Sequence, residues 1–445
     1  MGRPSRSRAL SVWANGVRVA SWRIPARGEM ELQYEEAWRD SAAGRPLSLS
    51  LPLGVDNSPL KGPAVESYFD NLLPDSADIR KRLASRFKTE TASPFDLLTA
   101  IGRDCVGAVQ LLPANGVPDG IDRIEGSPMS DEQIAAHLQG MVAPPAPGQG
   151  ADDDFRISIA GAQEKTALLW HNGQWLMPHG ATPTTHILKL PLGLVGNMKA
   201  DLTTSVENEW LCMQLLQAFG LPVANTSIRD FAGQRVLCVK RFDRQLHSSG
   251  RWIMRLPQED FCQVYGLPPS RKYEADGGPG VPQIADVLAN SERGREDIAT
   301  LLQAQLLFWL MAATDGHAKN FSIQLLPKGR YQLTPIYDVV SILPIMGDAA
   351  NQLRWHKAKL AMAISGKNRH YLLKDIQRRH FNAMALKCGY GASAEPIIQA
   401  TLDRMNGAMA DVNAKLPAGF PQRVVDTIFA GLHEAAARLQ QMPPA

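Results

Sequence analysis

Two β-rich runs flank Asn15-Gly16 in LSVWANGVRVASW, and that dipeptide is a turn signal, so residues 10–22 are expected to form a hairpin. Helical stretches surround YFDNLLPDS and FDLLTAIG, which makes the first 125 residues a small α+β domain. Ser130 to Met141 reads as a short helix, with Ser130 and Gln133 at capping-box spacing. Val142 to Asp154, VAPPAPGQGADDD, is too rich in Pro, Gly and Asp to pack and is expected to be a connector. Beyond it, Phe155 to Trp170 and Thr184 to Leu190 alternate as strands do, Ser205 to Phe219 has a helical period, and Val236 to Val239 is a short apolar strand. Glu296 to Ala313 is apolar nearly all round and predicts a buried helix. Phe321 to Leu325 and Tyr331 to Thr334 predict strands joined through Pro327-Lys328-Gly329-Arg330, and the rest of the chain reads mostly helical. The expected organisation is an α+β domain over 1–125, a short helix and linker over 126–154, and a larger unit over 155–445.

Composition narrows the class. Of 445 residues, 44% are hydrophobic and 20% charged, so the chain can bury a core and is not a disordered polymer. Lys and Arg number 47 against 44 Asp and Glu, too balanced for bulk charge to announce nucleic acid. The five cysteines are scattered, with no pair at CxxC spacing, which argues against a disulfide framework or a zinc site and for buried thiols in a reducing compartment. The segment Met1 to Ala9 is basic but lacks an apolar stretch behind it, and the longest apolar run, Leu301 to Ala313, is too short to span a bilayer. The expectation is a cytosolic protein with no membrane partner.

Four places carry candidate chemistry. Ser158 to Thr166, SIAGAQEKT, is not a Walker A loop, because Glu164 stands where a glycine must precede Lys165. It is a small-residue turn that lets backbone N–H groups approach phosphates, although an ordinary hairpin turn fits it as well. Lys189 lies in an apolar strand, where it either reaches phosphates beneath that turn or points to solvent from a sheet edge. Glu209 shares a helix face with Val206, Met213 and Leu216, so it needs a buried partner, and Lys189 is the obvious one. Glu207, with Thr204, has capping-box spacing. The strongest signal is Asp315, Asn320 five residues later, two strands, then Asp338. Protein kinases use that order: the first Asp takes the acceptor hydroxyl's proton, and the Asn and second Asp hold Mg²⁺. In the first domain, Asp70-Asn71 and Arg103-Asp104 read as caps and turn ions.

The stretches DFRISIAGAQEKTALL, PTTHILKLP, RLPQEDFCQ, KYEADGGPG, ATDGHAKNFS and LTPIYDVVS resemble the HipA family of bacterial serine/threonine kinases, the toxins of HipBA toxin–antitoxin modules. PLSLSLPL, FDNLLPDS and PFDLLTAIGRDCVGAVQL are similar to that family's N-terminal region. The resemblance implies a bilobal kinase-like fold with an all-helical C-terminal region, using ATP and Mg²⁺. It implies Asp315 as catalytic base, Asn320 and Asp338 as metal ligands, and Lys189 on the α/β-phosphates, supported by Glu209. Ala160, Gly161, Ala162, Gln163, Glu164 and Lys165 would form the phosphate loop. His317, Ala318, Lys319 and Tyr337 would line the nucleotide site, and Lys240, Arg241 and Phe242 would be a hinge meeting adenine through backbone groups. Ser158 would be autophosphorylated, inactivating the enzyme.

The implied partners are a HipB-type helix-turn-helix antitoxin, operator DNA mainly through that antitoxin, and a cellular protein substrate such as glutamyl-tRNA synthetase, whose loss would arrest growth. The competing reading is a catalytically degenerate ATP-binding corepressor. Two positions depart from the family pattern: Lys240 replaces an acidic hinge residue, and basic DNA-facing positions are not matched around Asn382 to Gly389. Between Asn351 and Tyr390, however, nine Lys/Arg accompany one acidic residue, Asp375. The loops Gly193–Thr203 and Gly266–Gly280 carry no assigned role.

Overall fold

A computed structural model describes residues 8–142, 158–161 and 163–443. The hairpin expected at Asn15-Gly16 is present: Arg8–Ala14 pairs antiparallel with Val17–Ile24. Asn15 and Gly16 both take positive φ, 48° and 81°, as a two-residue turn matching strand twist requires. Glu31–Tyr34, Leu60–Lys61 and Val109–Pro113 complete a five-stranded antiparallel sheet. Its buried face is closed by the helices Pro63–Asp70 and Pro94–Ile101, with Trp22 stacked on Phe69 at 3.9 Å between ring centroids.

The second sheet has six strands, ordered Thr226–Phe231, Gln234–Lys240, His186–Lys189, Lys165–His171, Gln174–Pro178, Gly126–Pro128. It is covered on both faces. Val236 and Cys238 pack with Ile134 and Leu138 of the helix Asp131–Val142, while Leu237 and Val239 pack into the core that includes the helix Ser205–Ala218. Ser130 and Gln133 form the expected reciprocal cap, at 3.3 and 2.8 Å. Thus residues 126–142, expected as a lead into the linker, are by packing part of this sheet layer. Most of the linker lies outside the described residues. The strand expected over 155–170 begins only at Lys165; residues 158–161 are loop, and 155–157 lie outside the described residues.

The remaining lobe is built on the buried helix Gly294–Leu310 and a three-stranded sheet, Gln258–Asp260, Ser322–Leu325 and Tyr331–Leu333. Helices Arg378–Lys387, Glu395–Asn413 and Gln422–Gln441 follow. The C-terminal region is not helical throughout: Lys359–Ser365 and Arg369–Leu372 form a hairpin whose first strand is almost wholly buried, an apolar run that by periodicity alone passes for helix. Thr204 makes no side-chain cap, because Glu207 turns instead to Arg235, 2.7 Å away. All five cysteines are free and buried, and no helix among the described residues is long and apolar enough to cross a membrane.

Asp104 is not a turn ion. It is buried against Arg244 at 2.9 Å, Arg255 at 3.2 Å and Arg241 at 3.4 Å. Asp243, 2.7 Å from Arg241, completes the cluster and accepts from the Gly107 amide. Burial alone would raise the Asp104 carboxyl, but the three guanidiniums hold it well below the usual carboxylate range. The first domain is therefore welded to the segment after the sheet's Gln234–Lys240 strand by a buried network in which charges are paired. Asp104→Ala leaves three buried guanidiniums short of a partner and should lower unfolding free energy by ~3–5 kcal/mol, measured as a shift in urea midpoint.

Candidate active site

The two lobes and the first domain meet around a cleft of about 460 Å³, within the size range of cofactor sites. Lys189 sits on its wall, at the end of a central strand rather than an edge. Its ammonium is buried between Glu209 Oε1 at 2.7 Å and Asp338 Oδ1 at 2.6 Å. Burial alone would lower the ammonium's pKa, but the two carboxylates outweigh it and hold Lys189 protonated. Burial pushes the Glu209 carboxyl up, with Lys189 opposing, whereas Asp338 is held well below the carboxylate range by Lys189 and Lys165 despite its own burial.

Asp338 has φ 62°, a backbone state that costs a non-glycine residue free energy and that surrounding contacts must enforce. Asn320 Nδ2 approaches Asp338 Oδ2 at 3.4 Å, and its Oδ1 accepts from the His317 amide at 3.2 Å. Asp315 lies at the mouth, its side chain exposed to the cleft and its Oδ1 accepting from the Tyr273 hydroxyl at 2.8 Å. His317 is buried; burial pushes its pKa down to about 3, so it is neutral, and its Nδ1 has no partner among the described residues.

The phosphate loop closes the other side. Gly161 has φ 112°, and a Cβ there would collide with the Lys165 ammonium. Lys165 Nζ donates to Ala160 O at 2.7 Å, and burial pushes its pKa down to about 8. Gln163 donates to Leu190 O at 2.5 Å. Tyr337 packs near Phe242, ring centroids 5.7 Å apart, at the hinge.

Of the expected site residues, Ala160, Gly161, Gln163, Lys165, Lys189, Glu209, Lys240, Arg241, Phe242, Asp315, His317, Lys319, Asn320, Tyr337 and Asp338 all line this cleft. Three expectations change. Glu164 does not line it: its carboxylate pairs with Arg82 of the first domain. Ala318 is buried behind the cleft, its amide donating to Lys272 O. The Arg241 side chain turns away into the Asp104 network, and the amides of Lys240 and Arg241 are already bonded to the carbonyls of Asn225 and Thr185. The hinge thus offers a base fewer backbone donors than expected. Ala162 lies outside the described residues. Ser158 is fully buried beneath the loop, its hydroxyl donating to Leu72 O at 2.7 Å.

Sequence reasoning missed the first domain's share. Asp70 is the expected turn ion, 2.5 Å from Arg80. Asn71 and Asp75 instead line the cleft. Asn71 Oδ1 accepts from Lys319 at 2.7 Å; Asp75 pairs with Lys272 at 2.9 Å, and its amide donates to Gly161 O at 2.9 Å. Asp260 also holds Lys319, at 3.1 Å. One short segment, Asn71 to Asp75, therefore touches both the phosphate loop and the loop that follows Asp315. The only sequence signal for it was the polar cluster in FDNLLPDS.

The donors present suit Mg²⁺ carried by a nucleotide. Asp338 supplies carboxylate oxygens on one wall, and Asn320, whose Oδ1 is taken by the His317 amide here, would have to turn its amide to add another; such a metal usually takes only one or two carboxylates plus phosphates. No group of three or more His, Cys, Asp or Glu that could hold a metal by itself occurs among the described residues.

Lys189→Met removes the one cation between two carboxylates. It should cost ~3–5 kcal/mol of stability at pH 8. The loss should shrink toward pH 5, because the unpaired Glu209, whose pKa burial already raises, takes up a proton in the folded state and no longer buries a charge. Urea melts at the two pH values test this.

Two family models match the chain: HipA N-terminal domain over residues 10–112 and HipA-like C-terminal domain over 157–411. A Sinorhizobium fredii relative, Y4mE, is 34% identical over 343 residues, covering 75% of this chain and 77% of the relative. The serine/threonine-protein kinase toxin HipA of Shewanella oneidensis is 28% identical over 325 residues, 70% of each chain. A solved complex of Shewanella oneidensis HipA, HipB and operator DNA contains a chain that superposes with a TM-score of 0.76 over 97% of both chains at 23% identity, which establishes a shared fold. With both domains matched in order and a relative above 30% identity along three quarters of its length, this chain belongs to the HipA family.

Proposed function

We propose that the protein is an ATP- and Mg²⁺-dependent serine/threonine protein kinase acting as the toxin of a HipBA-type module. The observation that carries this is the convergence of Lys189, Glu209, Asp315, Asn320 and Asp338 in one cleft, in the spatial roles that phosphoryl transfer needs. ATP with Mg²⁺ supplies the transferable phosphoryl group and the divalent charge that offsets it. Lys189 would hold the α/β-phosphates, Asp338 and Asn320 the metal, and Gly161 to Lys165 would cover the phosphates. Asp315 would accept the proton of a serine or threonine hydroxyl as its oxygen bonds the γ-phosphorus. The β,γ-bridging bond breaks, and ADP leaves with that bond's electrons.

Ser158 is our candidate for autophosphorylation. A hydroxyl that donates to Leu72 O from a fully buried position must leave that position to be phosphorylated, and a dianionic phosphoserine could not return. The phosphate loop would then lose its seat on the first domain. Antitoxin and operator contacts are proposed on the family's account, with the 351–390 region as this chain's own contribution toward DNA. Eight of its nine Lys/Arg are exposed; Arg378 is tied down by Glu395 at 2.5 Å, and the exposed Arg369 pairs with Glu274 at 3.4 Å. Glutamyl-tRNA synthetase is the proposed substrate and the bacterial cytoplasm the proposed compartment.

Purified protein incubated with Mg²⁺ and γ-labelled ATP should take up phosphate at Ser158. Asp315→Asn should slow that transfer ~10²–10⁴-fold while still binding ATP. Equal labelling of the two proteins would remove Asp315 as the base, and no label in either, from unphosphorylated starting material that still binds ATP, would move the account to the corepressor reading.

A further inference from the structure

The segment Gly266–Gly280 is not a passive connector. Its Lys272 carbonyl accepts from the Ala318 amide at 3.1 Å, and its Lys272 ammonium pairs with Asp75. Tyr273 O accepts from the amides of Asp276 and Gly278, and the buried Glu274 carboxylate accepts from the Ala363 amide at 2.6 Å. Between these anchors, the Tyr273 ring stands edge-on to buried His317, centroids 5.2 Å apart, and its hydroxyl donates to Asp315 Oδ1. A phenol fixed at its own backbone, at both neighbours and along its ring is not on a swinging lid.

We propose, resting on the kinase reading above, that Tyr273 is a positioning residue for phosphoryl transfer: it occupies Oδ1 of the catalytic base and thereby leaves Oδ2 to receive the acceptor's proton. A carboxylate has acceptor sites on both oxygens, so one hydroxyl on each is chemically ordinary. Oδ2 makes no hydrogen bond among the described residues: His317 Nε2, the nearest basic nitrogen among them, is 4.0 Å away, beyond hydrogen-bond reach. Without Tyr273, Asp315 would be free to turn about its side-chain torsions, and its orientation would no longer be set before the acceptor arrives. The same bond bears on charge. The groups facing Asp315 are Tyr273 and Lys272 from this segment, His317 from its own loop, Asp75 from the first domain and Asp338 from beyond the hairpin. Although its side chain opens to the cleft, the loss of bulk water inside the cleft, then Asp338 and Asp75, raise the Asp315 carboxyl, and Tyr273 and Lys272 oppose them.

Tyr273→Phe keeps the ring and removes only the hydroxyl. Its kcat should fall roughly tenfold, the scale of one charge-assisted hydrogen bond, with KM for ATP unchanged. The acidic limb of kcat should move to higher pH, because the base, losing a bond to its charged form, protonates sooner. An unmoved limb with unchanged kcat, or a raised kcat, overturns the proposal; a raised kcat would mean the phenol blocks the acceptor. A second readout needs no turnover. In nucleotide-free protein carrying carboxyl-¹³C aspartate, the resonance lost in Asp315→Asn should titrate at higher pH in Tyr273→Phe than in wild type, and identical titration overturns the contact. If wild type transfers no phosphate, the kinase reading fails, and this titration still decides whether Tyr273 sets the carboxylate.

Discussion

The active cleft depends on one buried cation. Lys189 stands between Glu209 and Asp338, and the three residues come from a strand of the six-stranded sheet, the helix beneath it and the segment following the C-lobe hairpin. Two carboxylates that close cannot both remain ionised in a buried site without it. The triad therefore ties the two lobes together through Asp338, whose backbone is left-handed. On the kinase reading, phosphates entering the cleft would meet Lys189 already charged and held, so little reorganisation would be needed for it to serve them.

A second constraint is supplied from outside the two lobes. The first domain is anchored through Asp104 to Arg241, Arg244 and Arg255, just beyond the hinge. From that anchorage it extends Asn71 to Asp75 into the cleft, where Gly161 on one side and Lys272 and Lys319 on the other are held. The same segment accepts the Ser158 hydroxyl. The domain is thus structural support for the loop around Gly161 and the loop after Asp315, and an event that dislodged Ser158 would be felt in the cleft through it.

Legibility in the sequence followed the range of the interactions. Lys189 and Glu209 could be paired on paper because each is a charge in an apolar pattern and neither is tolerable alone. Asp315, Asn320 and Asp338 were readable because a hairpin of near-fixed length separates them. Asp104 was not readable, since its arginine partners lie more than 130 residues away and local sequence shows only an Arg-Asp turn. Asn71 and Asp75 were hidden for the same reason. Thr204 and Glu207 have the spacing of a cap, but Arg235 from a neighbouring strand takes the carboxylate. The hairpin at 359–372 was lost because a fully buried strand has no alternation to show.

The most direct test of the account is a crystal structure of the full chain with Mg²⁺ and a non-hydrolysable ATP analogue. The account predicts Lys189 Nζ on α- or β-phosphate oxygens while still paired with Glu209, the metal bound by Asp338 and Asn320, and the γ-phosphate beneath Gly161 within reach of Asp315. A nucleotide bound elsewhere, or one seated in the cleft with its phosphates away from Lys189 and Asp338, would contradict it.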